Sequence, residues 1–188
     1  MEWSFGWEDQ FLLFLQNQVR SPWLDTLMGA VTRLGDAGIL AICTCILLLC
    51  IPSLRRIGVL AAQSLAMDFL LVNVVLKVLV NRVRPYVAVE GLIPIARLPA
   101  DASFPSGHTG ASFAVASVLF LCMPKKIGIP AIFLAALIGF SRLYLGVHYP
   151  TDVLAGALVG MCTGWLAVWL GKRRGQKEQG RQNVESGR

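Results

Sequence analysis

The chain has 188 residues, of which 55% are hydrophobic and 15% charged, and its mean hydropathy is +0.63. Soluble domains carry about 25% charged residues, so this composition excludes an ordinary soluble protein and indicates an integral membrane protein. The formal charge of +6 comes from basic residues dispersed at the ends of apolar segments and along the C-terminal tail, which favours membrane orientation over nucleic-acid binding. At about 20 residues for each crossing, the length allows one domain of about five or six transmembrane helices.

Residues 1–34 predict helices that lie along the membrane surface. Residues 1–20 mix aromatic with polar side chains and carry acidic residues where a signal peptide needs positive charge. We therefore expect an interfacial helix here and no cleaved signal. Pro22 predicts the start of a second helix, because proline suits a first helical turn. Charged residues make residues 11–33 a poor spanning segment.

A series of apolar segments predicts a transmembrane core over residues 37–171, and with it an all-α membrane bundle. Residues 1–171 then form a single domain. Residues 172–188 are basic and poor in apolar side chains, which predicts a mobile cytoplasmic tail. The predicted spans run at about 37–51, 57–80, 107–123, 127–145 and 150–170.

Basic residues at alternate helix ends predict the orientation, because short basic loops stay in the cytoplasm. Segments 81–104 and 141–152 then face the periplasm or the cell exterior. Both segments also hold most of the unusual polar residues, so the topology places the candidate site on the outer face. The basic clusters that face inward are Arg55-Arg56, Lys125-Lys126 and Lys172-Arg173-Arg174.

The first polar cluster on the outer face contains Lys77, Arg84 and Pro85. Lys77 ends an otherwise apolar helix, so it either extends its ammonium group to the interface or binds an anion. Arg84 precedes Pro85, which predicts an extended backbone beyond the helix end. A guanidinium group at this point can donate paired hydrogen bonds to phosphate oxygens.

The second cluster reads Pro105-Ser106-Gly107-His108-Thr109, where the outer loop turns into the third span. Ser106 suits the N-cap position and glycine allows close approach, so the free N–H groups of this helix start predict an anion site. His108 lies in the first turn. Alone it would be an ordinary capping histidine, but both histidines of the chain fall on this face.

The third cluster runs from Ser141 to Asp152. Arg142 ends the fourth span, His148 precedes the turn, and Pro150 begins the fifth helix with Asp152 in its first turn. Asp152 is close enough in sequence to accept a hydrogen bond from His148 Nδ1, which leaves Nε2 unprotonated, as a nucleophilic imidazole requires. A lone His-Asp pair is common as structure, but beside three cations and an anion-binding helix start it indicates phosphoryl chemistry.

Together the clusters read Lys-x6-Arg-Pro, Pro-Ser-Gly-His and Ser-Arg-x5-His-x3-Asp, with every position present. In this pattern the chain closely resembles, over roughly residues 22–171, the type 2 phosphatidic acid phosphatase family of membrane lipid phosphatases. The residues around the motifs look most like bacterial undecaprenyl-diphosphate phosphatases. Glycerophospholipid phosphatases share Pro-Ser-Gly-His, so both substrate classes stay open.

The resemblance implies a metal-independent, two-step phosphoryl transfer that needs no cofactor. His148 would attack the terminal phosphorus and form a phosphohistidine, Asp152 would orient it, and His108 would protonate the leaving oxygen. The sequence contains no carboxylate cluster suited to magnesium, and fixed cations can stabilise the same charge. The expected phosphate-binding residues are Lys77, Arg84, Ser106, Gly107 and Arg142.

The leading expected substrate is undecaprenyl diphosphate, with phosphatidylglycerophosphate or phosphatidate as the alternative. A lipid phosphotransferase would use the same phosphohistidine, whereas an anion channel would leave the His148–Asp152 spacing unexplained. Segment 86–104 is either a cover on the lipid surface or an irregular connector. Asp68 has no predicted partner, because Lys77 lies roughly 13 Å further along the same helix.

Overall fold

The computed structural model describes residues 4–95 and 98–186, and within them the regular structure is helical, without strands, which confirms the predicted all-α class. A π-helical turn, Leu15–Val19, extends the first helix, and another, Leu70–Leu76, joins the fourth to the fifth. The helices are α1 (Gly6–Phe14), α2 (Pro22–Leu34), α3 (Ile39–Cys50), α4 (Arg55–Phe69), α5 (Lys77–Val80), α6 (Pro85–Ala88), α7 (Gly107–Cys122), α8 (Lys125–Tyr144) and α9 (Pro150–Ser186).

Within the described part of the chain, three helical segments are long and apolar enough to cross a membrane: Arg55–Ala88, Lys125–Tyr144 and Pro150–Arg174. A fourth crossing results if α2 and α3, which meet at a bend of 41°, form one span. At this bend Ala37 and Gly38 have left-handed φ values of 49° and 68°, which interrupt the helix. α7 is a shorter apolar helix, and the count of five or six spans stays a prediction.

The predicted helix starts agree with the structure at the prolines. α2 begins at Pro22, and α9 begins at Pro150. α9 continues as a helix to Ser186, so the predicted tail is helical over its described part, and its mobility stays a prediction. Residues 1–3, which belong to the predicted N-terminal helix, lie outside the described ranges.

Close packing of α7 against α9 forms the centre of the bundle. Gly156, Gly160 and Gly164 recur at every fourth position of α9 and face α7; a Cβ atom on Gly160 would lie 2.4 Å from a carbonyl oxygen of α7. Small residues with this spacing let two helix backbones approach. At one end the two helix starts are joined, because Ser106 N donates to Asp152 O at 3.0 Å.

An apolar cluster closes the opposite end of the bundle. It joins α3, α4, α7 and α9 next to the basic loops, and Arg56 Nη2 donates to Gly171 O at 3.4 Å there. The predicted site therefore lies at the end away from this cluster. Its fully or nearly buried members are Ala41, Cys45, Leu48, Leu60, Ala61, Val115, Val118 and Val168.

The N-terminal helices pack against the loops of the site end. Leu12 of α1 contacts Val89, Leu92 and Tyr149 in one buried cluster, and Met28 of α2 belongs to a second with residues of the turn before α9. Within segment 86–104, Val89 and Leu92 are held in this layer, and Ile95 N donates to Leu145 O at 3.3 Å, so this part of the segment packs against the site end. The expected interfacial placement of residues 1–34 stays a prediction.

Candidate active site

A cavity of about 870 Å³ lies at this end, between α3, α4 and α7. One part of its wall is polar and contains six of the eight predicted site residues; the remainder is apolar and comes mainly from α3 and α4. A cavity with these two parts suits an amphiphile, with a charged group at one end and a chain at the other. The six residues are Lys77, Arg84, Gly107, His108, Arg142 and His148.

His148 lies on the short turn between α8 and α9 and is 1% exposed. Its Nδ1 is 3.4 Å from Asp152 Oδ2, the contact predicted from their spacing, and its Nε2 is 3.3 Å from Arg84 Nη1. Because arginine can only donate, Nε2 is the accepting nitrogen and Nδ1 carries the proton toward the carboxylate. Burial lowers the pKa of His148 to about 3, against the opposing effect of Asp152 and with the help of Arg84. The imidazole is therefore neutral near pH 7.

Asp152 lies directly behind His148 and is completely buried. Its Oδ2 accepts hydrogen bonds from Ser103 Oγ at 2.5 Å and from the Tyr149 N–H at 2.9 Å. Its Oδ1 accepts one from Arg82 Nη1 at 2.6 Å. These donors fix the carboxylate, which in turn orients the His148 ring.

Arg82 and Glu8 form a buried ion pair that the sequence analysis missed. Arg82 Nη2 donates to Glu8 Oε2 at 2.7 Å, and both side chains are fully buried. Arg82 also lies over the Tyr149 ring, 3.8 Å from its centroid. The available signal was an arginine two positions before the Arg84-Pro85 motif, but its partner is 74 residues away on a helix predicted to be interfacial.

Lys77 and Arg84 both contact Asp101, a second residue that the sequence analysis missed. Lys77 Nζ pairs with Asp101 Oδ2, and Arg84 Nη2 donates to Asp101 Oδ1 at 2.7 Å. Lys77 thus points into the cavity and meets an anion, as one of its two predicted alternatives requires. Burial would raise the pKa of Asp101, but the hydrogen bond and charge of Lys77, with Arg84, outweigh it and bring it to about 2. Arg84 itself has the predicted extended backbone, with ψ of 150°.

Arg142 reaches the cavity from the last turn of α8. Its Nη1 donates to Thr32 Oγ1 of α2 at 2.6 Å, and the side chain is nearly buried. Its Nε has no hydrogen-bond partner among the described residues. Because buried N–H groups are nearly always paired, this one is a candidate donor for a bound anion.

The start of α7 has the predicted position but differs in one detail. Ser106 occupies the N-cap, yet its hydroxyl is fully buried, accepts from Thr109 Oγ1 at 2.9 Å and makes no capping bond to the described backbone. Ser106 also lies outside the cavity lining, so the binding of phosphate by its hydroxyl stays a prediction. Gly107 lines the cavity, where a Cβ atom would lie 3.3 Å from Asn73 Oδ1.

His108 lies in the first turn of α7 and lines the cavity. Its Nε2 is 2.8 Å from Asp36 Oδ1, a partner in the bend between α2 and α3 that the sequence analysis missed. The carboxylate can orient the imidazole. His108 can therefore move a proton at the edge of the cavity.

Asp68 also lines the cavity, on the face of α4 that packs against α7. It is 1% exposed, and a Cβ atom on Gly110 would lie 2.7 Å from its Oδ1. That oxygen has no hydrogen-bond partner within residues 4–95 and 98–186. The structure thus places Asp68 in the bundle interior, as predicted, next to the candidate site.

The arrangement brings together a neutral imidazole, an orienting carboxylate, a second histidine and three cations around one cavity. In the part of the chain that the structure describes, no group of three or more His, Cys, Asp or Glu side chains could hold a metal ion. The positive charges that face the cavity are those of Lys77, Arg84 and Arg142, and the Asp101 carboxylate lies between two of them. Such a site can bind a phosphoryl group and attack it with a nitrogen nucleophile.

Comparisons with known proteins identify relatives over most of the chain. The sequence profile described as the PAP2 superfamily matches residues 57–176. Undecaprenyl-diphosphatase BcrC of Bacillus subtilis is 42% identical over 99 residues, which span 52% of this chain and 49% of that protein. The undecaprenyl-diphosphatase of Sulfolobus acidocaldarius is 33% identical over 160 residues, which span 85% of this chain and 76% of that one.

A solved structure has the same fold. It is the crystal structure of a transmembrane PAP2-type phosphatidylglycerolphosphate phosphatase from Bacillus subtilis. It superposes with a TM-score of 0.71 and 28% sequence identity, over 88% of this chain and 85% of that one.

Proposed function

The chain belongs to the PAP2 superfamily, and from this premise we propose that it hydrolyses the terminal phosphate of undecaprenyl diphosphate to give undecaprenyl phosphate. The family assignment makes the protein an integral membrane lipid phosphatase, a phosphoric ester hydrolase. The observation that carries the proposal is the buried, neutral His148 between Asp152 and Arg84 at the edge of an amphiphilic cavity.

In the first step, Nε2 of His148 attacks the terminal phosphorus while the bond from phosphorus to the leaving oxygen breaks. His108 donates a proton to that oxygen, and the lipid monophosphate leaves. The imidazole gains positive charge as the N–P bond forms, and Asp152 stabilises this charge through Nδ1–H. In the second step, His108 takes a proton from water, the water oxygen attacks phosphorus, and the N–P bond breaks to release inorganic phosphate.

Charge stabilisation falls to the cations that face the cavity. Lys77, Arg84 and Arg142 can donate to the phosphoryl oxygens in both steps, together with the N–H of Gly107. Removing one such donor costs about 10²–10³ in rate in comparable anion-stabilising sites. Loss of the His148 nucleophile is expected to cost more, because no covalent intermediate then forms.

The substrate class rests on the apolar part of the cavity and on the names of the relatives. Ile42, Ile46 and Phe69 line this part and are themselves about half exposed on the outer surface of the bundle, so a hydrocarbon chain can extend from the cavity toward the bilayer. Two relatives at 33–42% identity are named undecaprenyl-diphosphatases. Phosphatidylglycerophosphate is the second candidate, supported by the similar structure.

Two other expectations concern products and orientation. A lipid phosphotransferase would share the first step and differ only in the acceptor of the second, so product analysis distinguishes it from a hydrolase.

The cavity is proposed to face the periplasm or cell exterior, with the C-terminus in the cytoplasm. Arg56 contacts Gly171 at the far end of the bundle, which supports a common basic, inward-facing end.

The test is phosphate release by the purified protein in detergent with excess EDTA. Undecaprenyl diphosphate, phosphatidylglycerophosphate and phosphatidate are compared as substrates, with His148→Asn as the nucleophile variant and Trp165→Phe, on the exposed face of α9, as the control. We expect EDTA-resistant release that His148→Asn abolishes, with undecaprenyl diphosphate turned over best. Activity of His148→Asn equal to that of Trp165→Phe would show that the nucleophile is wrong.

A further inference from the structure

Asp101 occupies the place of a substrate anion between Lys77 and Arg84. We propose that it determines the charge selectivity of the phosphoryl site: a doubly charged terminal phosphate displaces it, whereas the singly charged phosphodiesters of bulk lipids do not. This inference rests on the proposed function and adds a specificity determinant to it. Asp101 is not one of the residues predicted from the sequence motifs.

The contacts of Asp101 resemble those of a bound phosphate. One carboxylate oxygen pairs with Lys77 Nζ and the other accepts from Arg84 Nη2 at 2.7 Å. The same guanidinium group places its Nη1 3.3 Å from His148 Nε2. A phosphorus atom within reach of Nε2 must have its oxygens beside Arg84, so substrate and the Asp101 carboxylate compete for the same donors.

The carboxylate can leave without opening the loop. The Asp101 side chain is 51% exposed, whereas the backbone around it is anchored: Arg84 Nε donates to Asp101 O at 2.8 Å, and Ser103 N donates to Arg82 O at 2.9 Å. Rotation of one side chain into solvent therefore removes the carboxylate from both cations, while Arg84 keeps its bonds to the backbone oxygens of Asp101 and Val147. Its low pKa keeps Asp101 charged throughout the physiological range, so it remains a competitor at any relevant pH.

A resident anion is useful because the cavity is open to lipid. Its apolar wall includes Ile46 and Phe69, which are 54% and 58% exposed on the bundle surface, so phospholipids at high local concentration have access. A phosphodiester carries one negative charge, as Asp101 does, and gains little by replacing it. A terminal phosphate carries about −1.5 to −2 near pH 7 and gains from each cation it meets, Arg142 included.

The test compares kcat/KM in mixed micelles of neutral phosphatidylcholine with kcat/KM in micelles containing phosphatidylglycerol. We expect the parent to retain its kcat/KM when phosphatidylglycerol is added, whereas Asp101→Asn loses roughly tenfold through a higher KM, because an unblocked cation pair now binds phosphodiesters. Glu90→Gln is the matched control, because it removes one negative charge from the same connector at an exposed position. It should behave as the parent does.

Binding of inorganic phosphate, measured by calorimetry, separates this inference from the proposed function. Phosphate binding does not depend on turnover. If the parent protein hydrolyses no substrate, the proposed function is refuted, and the phosphate affinities of parent and variant still test the role of Asp101. We expect Asp101→Asn to bind phosphate about tenfold more tightly. If Asp101→Asn binds phosphate no more tightly than the parent, or shows the same phosphatidylglycerol sensitivity, the inference is overturned. Asp101→Ser gives the same comparison should the asparagine variant fail to fold.

Discussion

Replacement of Glu8 by glutamine tests whether helix α1 supports the candidate active site. Among the described residues Glu8 accepts four hydrogen bonds. Its Oε2 accepts from Phe5 N at 3.1 Å and Arg82 Nη2 at 2.7 Å, and its Oε1 from Thr151 N at 3.1 Å and Thr151 Oγ1 at 2.7 Å. Glutamine has the same shape but a single carbonyl oxygen. It can keep the two bonds from Thr151, and its NH₂ group then faces two donors.

The expected loss is large because the ion pair with Arg82 is fully buried. Removing one member of a buried pair costs about 3–5 kcal/mol of the free energy of unfolding. For a chain of this size that corresponds to a fall of about 6–20 °C in Tm. Arg82 keeps its bonds to Asp152 and Thr151. Without its partner Glu8, Arg82 shifts together with Asp152, and Asp152 orients His148. We therefore also expect kcat to fall by about tenfold to 10²-fold, because His148 is misaligned.

Two quantities are measured. The first is the Tm in detergent, obtained from thermal unfolding followed by size-exclusion chromatography. The second is kcat at a temperature where both variants are folded. Asp9→Asn is the matched control, since it removes one charge from the neighbouring position of α1, where, among the described residues, only Ser4 Oγ donates to the carboxylate, at 2.9 Å. We expect its Tm to stay within about 2 °C of the parent. If Glu8→Gln has the same Tm and the same kcat as Asp9→Asn, the role given to α1 is refuted.

Three further predictions follow from the geometry. The His108→Asn variant retains one histidine, so its imidazole NMR signals come from His148 alone. These signals should stay those of a neutral imidazole from pH 8 to 5, since burial and Arg84 lower the pKa of His148 to about 3. A titration midpoint near pH 6.5 would contradict this. Gly160→Ala should lower the free energy of unfolding by about 1–3 kcal/mol, because its Cβ would lie 2.4 Å from an α7 carbonyl oxygen. In the control Gly29→Ala, the new Cβ meets no described atom within 4 Å, so the variant should not be destabilised. Equal Tm values for the two variants would argue against close α7–α9 packing. Arg142→Lys should lower kcat/KM by about 10²–10³ with little change in Tm, since it removes a planar donor facing the cavity, and kcat/KM near the parental value would exclude Arg142 from phosphate binding.

Much of the local structure could be predicted because its causes lie within a few residues. Proline at a first turn placed the starts of α2 and α9 at Pro22 and Pro150, and an Arg-Pro step predicted the extended backbone at Arg84. The four-residue separation of His148 and Asp152 was enough to predict their contact. The three predicted polar clusters also lie at one end of the bundle, and six of their residues line one cavity, because helices of one bundle bring alternate loops to the same end.

Prediction was less successful where a side chain had a choice of partners. Ser106 suited the N-cap and took that position, but its hydroxyl accepts from Thr109 of the same helix, and the residue is not part of the cavity lining. Lys77 had two alternatives that sequence could not separate. It lines the cavity and pairs with Asp101, a contact that no local pattern indicated, and its binding of a substrate anion stays a prediction. α1 was expected to lie at the interface, yet it also inserts Glu8 into the interior.

Composition and short spacings are local properties, and they were enough to indicate the membrane class and the helical fold and to predict candidate reactive groups. Which charges meet depends on the tertiary structure. Glu8 and Arg82 are 74 positions apart, and Asp36 and His108 are 72 apart. Contacts of this kind depend on how closely whole helices pack, which here is set by glycines of α9 against α7, and no single segment of the chain contains that information.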